Sequence, residues 1–310
     1  MSTPTLPTDP LWPRAAHWLA PVSVAETPTA DLALLGVPAY QSSLTPTSAH
    51  ATPAAVREAL LRYSTFSAAH GIDVASVPAI DLGDVARPDG ADGEARVAAA
   101  LAGALDRHRL LLAIGGDNSI TYSVMRGLFA GGHVPVAECG LVTVDAHHDL
   151  RDGETNGSPV RRLVEEAGLR GDNVAQIGIA DFSNSPAYAQ RARELGITVV
   201  TRAELRGADL ACVAAEALAI AGAGGRPVYV DLDVDVCDRA AVPACPSAAP
   251  GGIGADELRQ LAFAFGRDPR VRAIDITEID ATIDTHDQRT VRLAALLVLE
   301  AAAGLALRAT

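Results

Sequence analysis

Between residues 31 and 308 the chain alternates short apolar runs with longer amphipathic stretches, and this alternation restricts the fold more than any other feature. The apolar runs cover 31–37, 73–78, 110–114, 140–145, 174–179, 197–200, 227–235 and 271–278. Helix-like stretches cover 53–63, 94–108, 120–129, 159–167, 186–195, 206–222, 254–267 and 289–308. Several apolar runs are continuous, as strands are when both faces of their sheet are covered. Such alternation predicts a mainly parallel sheet of about eight strands flanked by helices. With no internal repeat and no long linker, residues 31–310 read as one domain. Residues 1–30, rich in Pro, Thr and Ala, read as an N-terminal arm over the surface, with Trp12 and Trp18 as its anchors.

The formal net charge of −13, with arginine as the sole fixed cation, argues against nucleic-acid binding, which needs a positive surface. No apolar run follows a basic N-terminal segment, and none is long enough to span a bilayer. The four cysteines form no CxxC pair. The expectation is a cytoplasmic protein with free thiols.

In open α/β sheets, ligands bind beyond the carboxyl ends of the strands. The polar clusters of this chain stand at those ends. Leu141-Val-Thr-Val-Asp-Ala-His-His-Asp149 runs from an apolar strand into Asp145, His147 and Asp149 at a spacing of two. In an extended chain all three point one way, and their convergence calls for a cation; the plainer reading is a capped helix start. Val228-Tyr-Val-Asp-Leu-Asp-Val-Asp-Val-Cys-Asp238 places Asp231, Asp233 and Asp235 in a row, whose mutual repulsion a metal pair would relieve. In Leu111-Leu-Ala-Ile-Gly-Gly-Asp-Asn-Ser119, Asp117 or Ser119 reads as a helix cap. Ala273-Ile-Asp-Ile-Thr-Glu278 adds Asp275 and Glu278. This oxygen-rich set with some imidazole suits manganese better than structural zinc, and the reaction class it points to is metal-activated hydrolysis.

These segments resemble the ureohydrolase superfamily of arginase, agmatinase and formimidoylglutamase. The resemblance covers most of residues 31–308 and rests on Gly115-Gly-Asp-Asn-Ser119, Asp145-Ala-His-His-Asp149, Asp233-Val-Asp-Val-Cys-Asp238 and Glu278. It implies a three-layer α/β/α, arginase-like fold and a homo-oligomer, trimer or hexamer. Within the superfamily the chain looks most like formimidoylglutamase. That choice rests on Asp149-Leu-Arg151, Asn156-Gly-Ser-Pro-Val-Arg161, Ile179-Ala-Asp-Phe-Ser-Asn-Ser185 and Pro243-Ala-Cys-Pro246. By this resemblance Asp145 and Asp233 would bridge two Mn2+ ions, with His147 and Asp235 completing one. Asp149 would bind the other and share a hydrogen bond with the bridging hydroxide. Glu278 would hold the substrate amidine, a planar cation that a carboxylate can pair with. Arg151 would clamp a substrate carboxylate, with Asn156 and Asn184 also at the substrate. For Arg161 and Arg162, a second carboxylate contact and a solvated helix face stand side by side.

One departure bears on the metal. The superfamily usually has histidine where this chain has Asn118, so the resemblance assigns a ligand position to a neutral and weaker donor. His148, facing away from His147, is expected in the core or behind the ligands. The expected activity is hydrolysis of N-formimidoyl-L-glutamate to L-glutamate and formamide, in histidine breakdown. The alternatives are a guanidino-compound amidinohydrolase that releases urea and a metal-poor pseudoenzyme.

Overall fold

The computed structural model describes residues 9–22 and 28–308. Its strands are β1 (Ala20–Pro21), β2 (Leu32–Val37), β3 (Phe66–Ser67), β4 (Ile72–Asp73), β5 (Ala79–Asp84), β6 (Leu110–Gly115), β7 (Gly140–Val144), β8 (Val174–Ile179), β9 (Thr198–Thr201), β10 (Val228–Asp233) and β11 (Val271–Thr277). Its helices are α1 (Thr52–Leu60), α2 (Gly90–Leu101), α3 (Ala104–Arg107), α4 (Ile120–Gly131), α5 (Pro159–Glu165), α6 (Pro186–Glu194), α7 (Leu210–Ala221), α8 (Ala255–Arg267) and α9 (Arg289–Ala306). Strands β3 and β4 form a small antiparallel ribbon. The others make one sheet in the order β1-β5-β2-β6-β11-β10-β7-β8-β9, parallel at every pairing.

The continuous apolar runs become strands buried along their whole length, as in β2, β6, β7, β8 and β10. Successive side chains enter opposite cores. Leu32 and Leu34 pack in the layer that holds Leu60 of α1, Leu218 of α7, Phe265 of α8 and Leu297 of α9. Ala33 and Leu35 pack in the layer that holds Leu101 of α2, Leu128 of α4 and Leu163 of α5. The expected α/β/α architecture is therefore present. Among the described residues no helix is long and apolar enough to cross a membrane.

Two strand assignments differ from the sequence reading. Residues 73–78 are not a sheet strand: β4 ends at Asp73 and a 3-10 turn follows over Val74–Ser76. The sheet strand is β5, whose acids disguise it. Arg57 pairs with Asp81 at 2.6 Å and Asp84 at 2.5 Å, which makes two carboxylates tolerable beside a core. The ninth strand, β1, lies in the expected arm and extends the sheet edge beside β5. Trp18 anchors it by donating Nε1–H to the Val77 carbonyl at 2.8 Å.

The strand order places the site. After β6 the chain skips two positions to β7 and runs outward through β8 to β9. It then returns to lay β10 and β11 in the gap. The carboxyl ends of β6, β7, β10 and β11 thus meet where the winding reverses, the crevice in which α/β sheets bind ligands.

Candidate active site and metal centre

The β7 segment reaches the crevice as a turn. The strand stops at Val144, and Asp149 has a φ of 53°, so Asp145, His147 and Asp149 are not the extended row that their spacing predicted. The Asp145 carboxylate folds the turn by accepting from the His147 backbone N–H at 2.6 Å. Asp233 performs the same task on β10, accepting from Asp235 N–H at 2.8 Å as a 3-10 turn begins over Val234–Val236. Asp235 is therefore rotated out of the row with Asp231 and Asp233. It meets His147, whose Nδ1 lies 2.7 Å from Asp235 Oδ2 and 3.4 Å from Asp145 Oδ1. Ligand atoms of Asp145, His147 and Asp235 lie within 4.8 Å of one another, and Ala146 N–H ties the two turns by donating to Asp235 at 3.0 Å.

From β11, Glu278 follows the strand with a φ of 62°. A left-handed backbone is uncommon for any residue but glycine, and such strain concentrates at functional sites. Glu278 Oε1 accepts from Asn118 N–H at 2.9 Å and from Asn156 Nδ2 at 2.8 Å. From β6, Gly116 supplies a tight crossing: a Cβ there would lie 2.1 Å from the Ala39 carbonyl oxygen, while its own carbonyl accepts from Glu278 N–H at 2.9 Å. Asp117 closes its own turn by accepting from Ser119 N–H and Oγ–H, but α4 starts after Ser119 without a side-chain cap, so the helix-cap reading of Asp117 and Ser119 does not hold.

Asn118 takes an orientation that its expected role did not foresee. Its Nδ2 donates to Asp149 Oδ2 at 2.6 Å. Its Oδ1, the atom that could ligate a metal, accepts from Thr121 Oγ1 at 3.0 Å and Thr277 Oγ1 at 2.9 Å. Asn184, expected at the substrate, instead braces the metal loop, since it accepts from His148 N–H at 3.0 Å and donates to the Ala146 carbonyl at 2.9 Å. His148 is buried and bonded through Nδ1 to Gln176 at 2.7 Å. Asn156 also has both amide ends engaged, Nδ2 on Glu278 and Oδ1 on Leu44 N–H. Neither Arg161 nor Arg162 is available for a substrate carboxylate. Arg161 holds the carbonyls of Arg151 and Gly153 and pairs with Glu165, and Arg162 pairs with Glu94 and Glu166 and lies over Tyr122. Both are buried, so the solvated-face reading fails as well. Arg151 is the exception: it is exposed, and its guanidinium has no hydrogen-bond partner among the described residues. Thr121 and Thr277 escaped the sequence reading, because threonine on an apolar strand or helix carries no signal of its own.

The electrostatics of the crevice call for cations. Burial, then neighbouring carboxylates, push Asp145 and Asp233 well above the usual carboxylate range. Burial raises Asp149 to about 7, with His147 and Asn118 pulling the other way. Burial, then Asp117, raises Glu278 to about 8. Burial works against both partners of the His147–Asp235 pair, yet their attraction prevails and raises His147 to about 9 while lowering Asp235. Asp145 Oδ2 is buried with no hydrogen-bond partner. An orphaned carboxylate oxygen beside an imidazole and further acids is a donor set that fits a divalent, oxygen-preferring metal such as manganese.

Comparisons with known proteins agree with this geometry. The family model described as the arginase family matches residues 30–304. A formimidoylglutamase from Halalkalibacterium halodurans is 34% identical over 274 residues, covering 86% of this chain and 84% of its own. The crystal structure of formimidoylglutamase from Bacillus subtilis superimposes with a TM-score of 0.90 at 30% identity, covering 100% of this chain and 97% of that one. The fold is shared with a Trypanosoma cruzi formiminoglutamase crystallised with Mn2+, at a TM-score of 0.85 and 22% identity over 96% of this chain and 100% of that one. From the strand-end acids to the full-length matches, the chain belongs to the arginase family.

Proposed function

We propose that this arginase-family hydrolase converts N-formimidoyl-L-glutamate and water to L-glutamate and formamide. The observation that carries the reading is a buried acid and, across one short loop, an exposed guanidinium with no hydrogen-bond partner among the described residues. Glu278 is bonded to Asn156, the next residue is Gly157, and Arg151 packs against Gly157, where a Cβ would lie 2.7 Å from Arg151 Cδ. An amidinium at one end and carboxylates at the other match that arrangement in charge and order. A guanidinium with a cationic tail would match Glu278 but meet Arg151.

Asp145, His147, Asp149, Asp233 and Asp235 are the residues that would hold manganese. When bound, divalent ions lower the pKa of water and so supply a hydroxide nucleophile at neutral pH. Glu278 receives the amidinium as a buried ion pair, a pairing that favours its ionised form. Its anchors, Asn118 N–H and Asn156 Nδ2, fix the carboxylate's direction. As water's oxygen bonds to the formimidoyl carbon and the C–N bond to glutamate breaks, the leaving amine needs a proton. Asp149, buried in the crevice among the other acids, is the group that would pass one on. We place the protein in the cytoplasm as a homo-oligomer, a reading supported by its free cysteines and its resemblance to the family. The test is formamide release from N-formimidoyl-L-glutamate with manganese present. Urea release from a guanidino acid without formamide release would overturn the substrate assignment.

A further inference from the structure

Asp231 and Asp275 have no place in the chemistry described above, yet they are among the most buried groups in the protein. They stand opposite each other in the β10–β11 register, one step below the ligand-bearing turns, and both are fully buried. Among the described residues no basic side chain bonds to either. Hydroxyls reach one oxygen of each: Tyr229 and Thr121 donate to Asp275 Oδ2 at 2.8 and 2.9 Å, and Thr277 lies 3.5 Å from Asp231 Oδ1; the two acids also interact with each other. The same two threonines touch Asn118 Oδ1, Thr121 at 3.0 Å and Thr277 at 2.9 Å.

Each hydroxyl has one proton and must choose. If both protons go to the Asn118 oxygen, the amide is locked with its NH2 toward Asp149, as the structure shows. If both go to Asp275 and Asp231, the hydroxyls present lone pairs to the amide. The amide is then satisfied with its NH2 inward and its carbonyl oxygen toward Asp149. That second arrangement sets two acceptors face to face and needs a cation between them. Either orientation leaves the amide's inner end hydrogen-bonded, so exchange between them strands no buried group there.

We propose that Thr121 and Thr277 are positioning residues that decide which end of the Asn118 amide faces Asp149. In this arrangement Asp275 and Asp231 serve as the acceptors that let the threonines release the amide oxygen to a metal ion. The proposal rests on the manganese-dependent reading above. It gives the buried carboxyl pair a task and explains how asparagine can stand at a ligand position.

The test uses the full-length, metal-free protein titrated calorimetrically with Mn2+ alone, with no substrate. Thr277→Val should weaken one manganese event by about tenfold or more, in line with substitutions behind metal ligands. Thr277→Ser, which keeps the hydroxyl, should bind as wild type does. In an Asn118→His background there is no amide to orient, so adding Thr277→Val should change affinity less than about threefold. Thr121→Val, on the helix rather than the strand, provides the same comparison if Thr277→Val does not fold. Wild-type affinity in the valine variants overturns the proposal, and so does a loss that persists undiminished beside Asn118→His. A wild-type protein that binds no manganese removes the metal-dependent reading itself, whereas binding indifferent to both threonines removes only this proposal.

Discussion

Glu278→Gln separates the two consequences of burying an acid at the crevice. The glutamine is isosteric, and its carbonyl oxygen can still accept from Asn118 N–H and Asn156 Nδ2, so the local geometry survives while the charge does not. Removing one partner of a buried, hydrogen-bonded charge pair costs about 2–5 kcal/mol, which is roughly 30- to 5,000-fold in kcat/KM. Stability should move the other way. In the folded, metal-free chain Glu278 is raised from 4.5 to about 8, so the folded state keeps a proton that the unfolded chain releases across that window. The carboxyl therefore withdraws stability progressively as pH climbs from 4.5 to 8, toward a ceiling of about 5 kcal/mol. The glutamine variant lacks this loss. Two measurements check the argument: formamide release at saturating manganese, and thermal melting in a chelator at pH 4.5 and pH 8. The variant should be nearly inactive, match wild type near pH 4.5, and melt higher than wild type at pH 8. Near-normal kcat/KM would refute amidinium recognition by Glu278, and a lower melting temperature at pH 8 would refute the electrostatic account.

Asn118→His should raise manganese affinity, since an imidazole is a better donor to a transition metal than an amide; unchanged affinity by calorimetry would contradict the weak-ligand reading of that position. Arg151→Ala should raise KM for N-formimidoyl-L-glutamate by about 10- to 100-fold, the scale of a lost charged contact, with a smaller effect on kcat. Steady-state kinetics that show kcat alone falling would remove Arg151 from carboxylate binding. Gly116→Ala should destabilise the protein by about 1–3 kcal/mol, because the added Cβ meets the Ala39 carbonyl at 2.1 Å. It should also cut activity through the Glu278 N–H bond to Gly116; chemical denaturation and the formamide assay read the two effects separately.

Central strands were legible because burial on both faces leaves an unbroken apolar run, as in β6 and β8, which a solvated edge cannot imitate. Strand β5 was hidden because its acids are balanced by Arg57, 24 and 27 residues earlier, and local pattern carries no record of a distant partner. Strand β1 is two residues long and contains a proline, too little to signal anything. In the site, Asp145, His147 and Asp235 were found because carboxylates and imidazole at apolar strand ends are expensive to explain otherwise. Their conformation was not, since a spacing of two fits an extended strand and a tight turn alike. The direction of the Asn118 amide and the tasks of Asn156 and Asn184 depend on hydrogen bonds across 31 to 160 residues.

The late insertion of β10 and β11 into the middle of the sheet has a consequence for synthesis. When the ribosome has made the chain only as far as β9, the strands that will flank the centre, β6 and β7, have no neighbour on their inner edges. The nascent protein is then two part-sheets with raw hydrogen-bonding edges, which other chains can pair with. Closure waits for the last third of the sequence, the part that also carries Asp233, Asp235 and Glu278. Assembly of the crevice and completion of the sheet are therefore one event, and a chain truncated before β10 lacks both its middle and its chemistry.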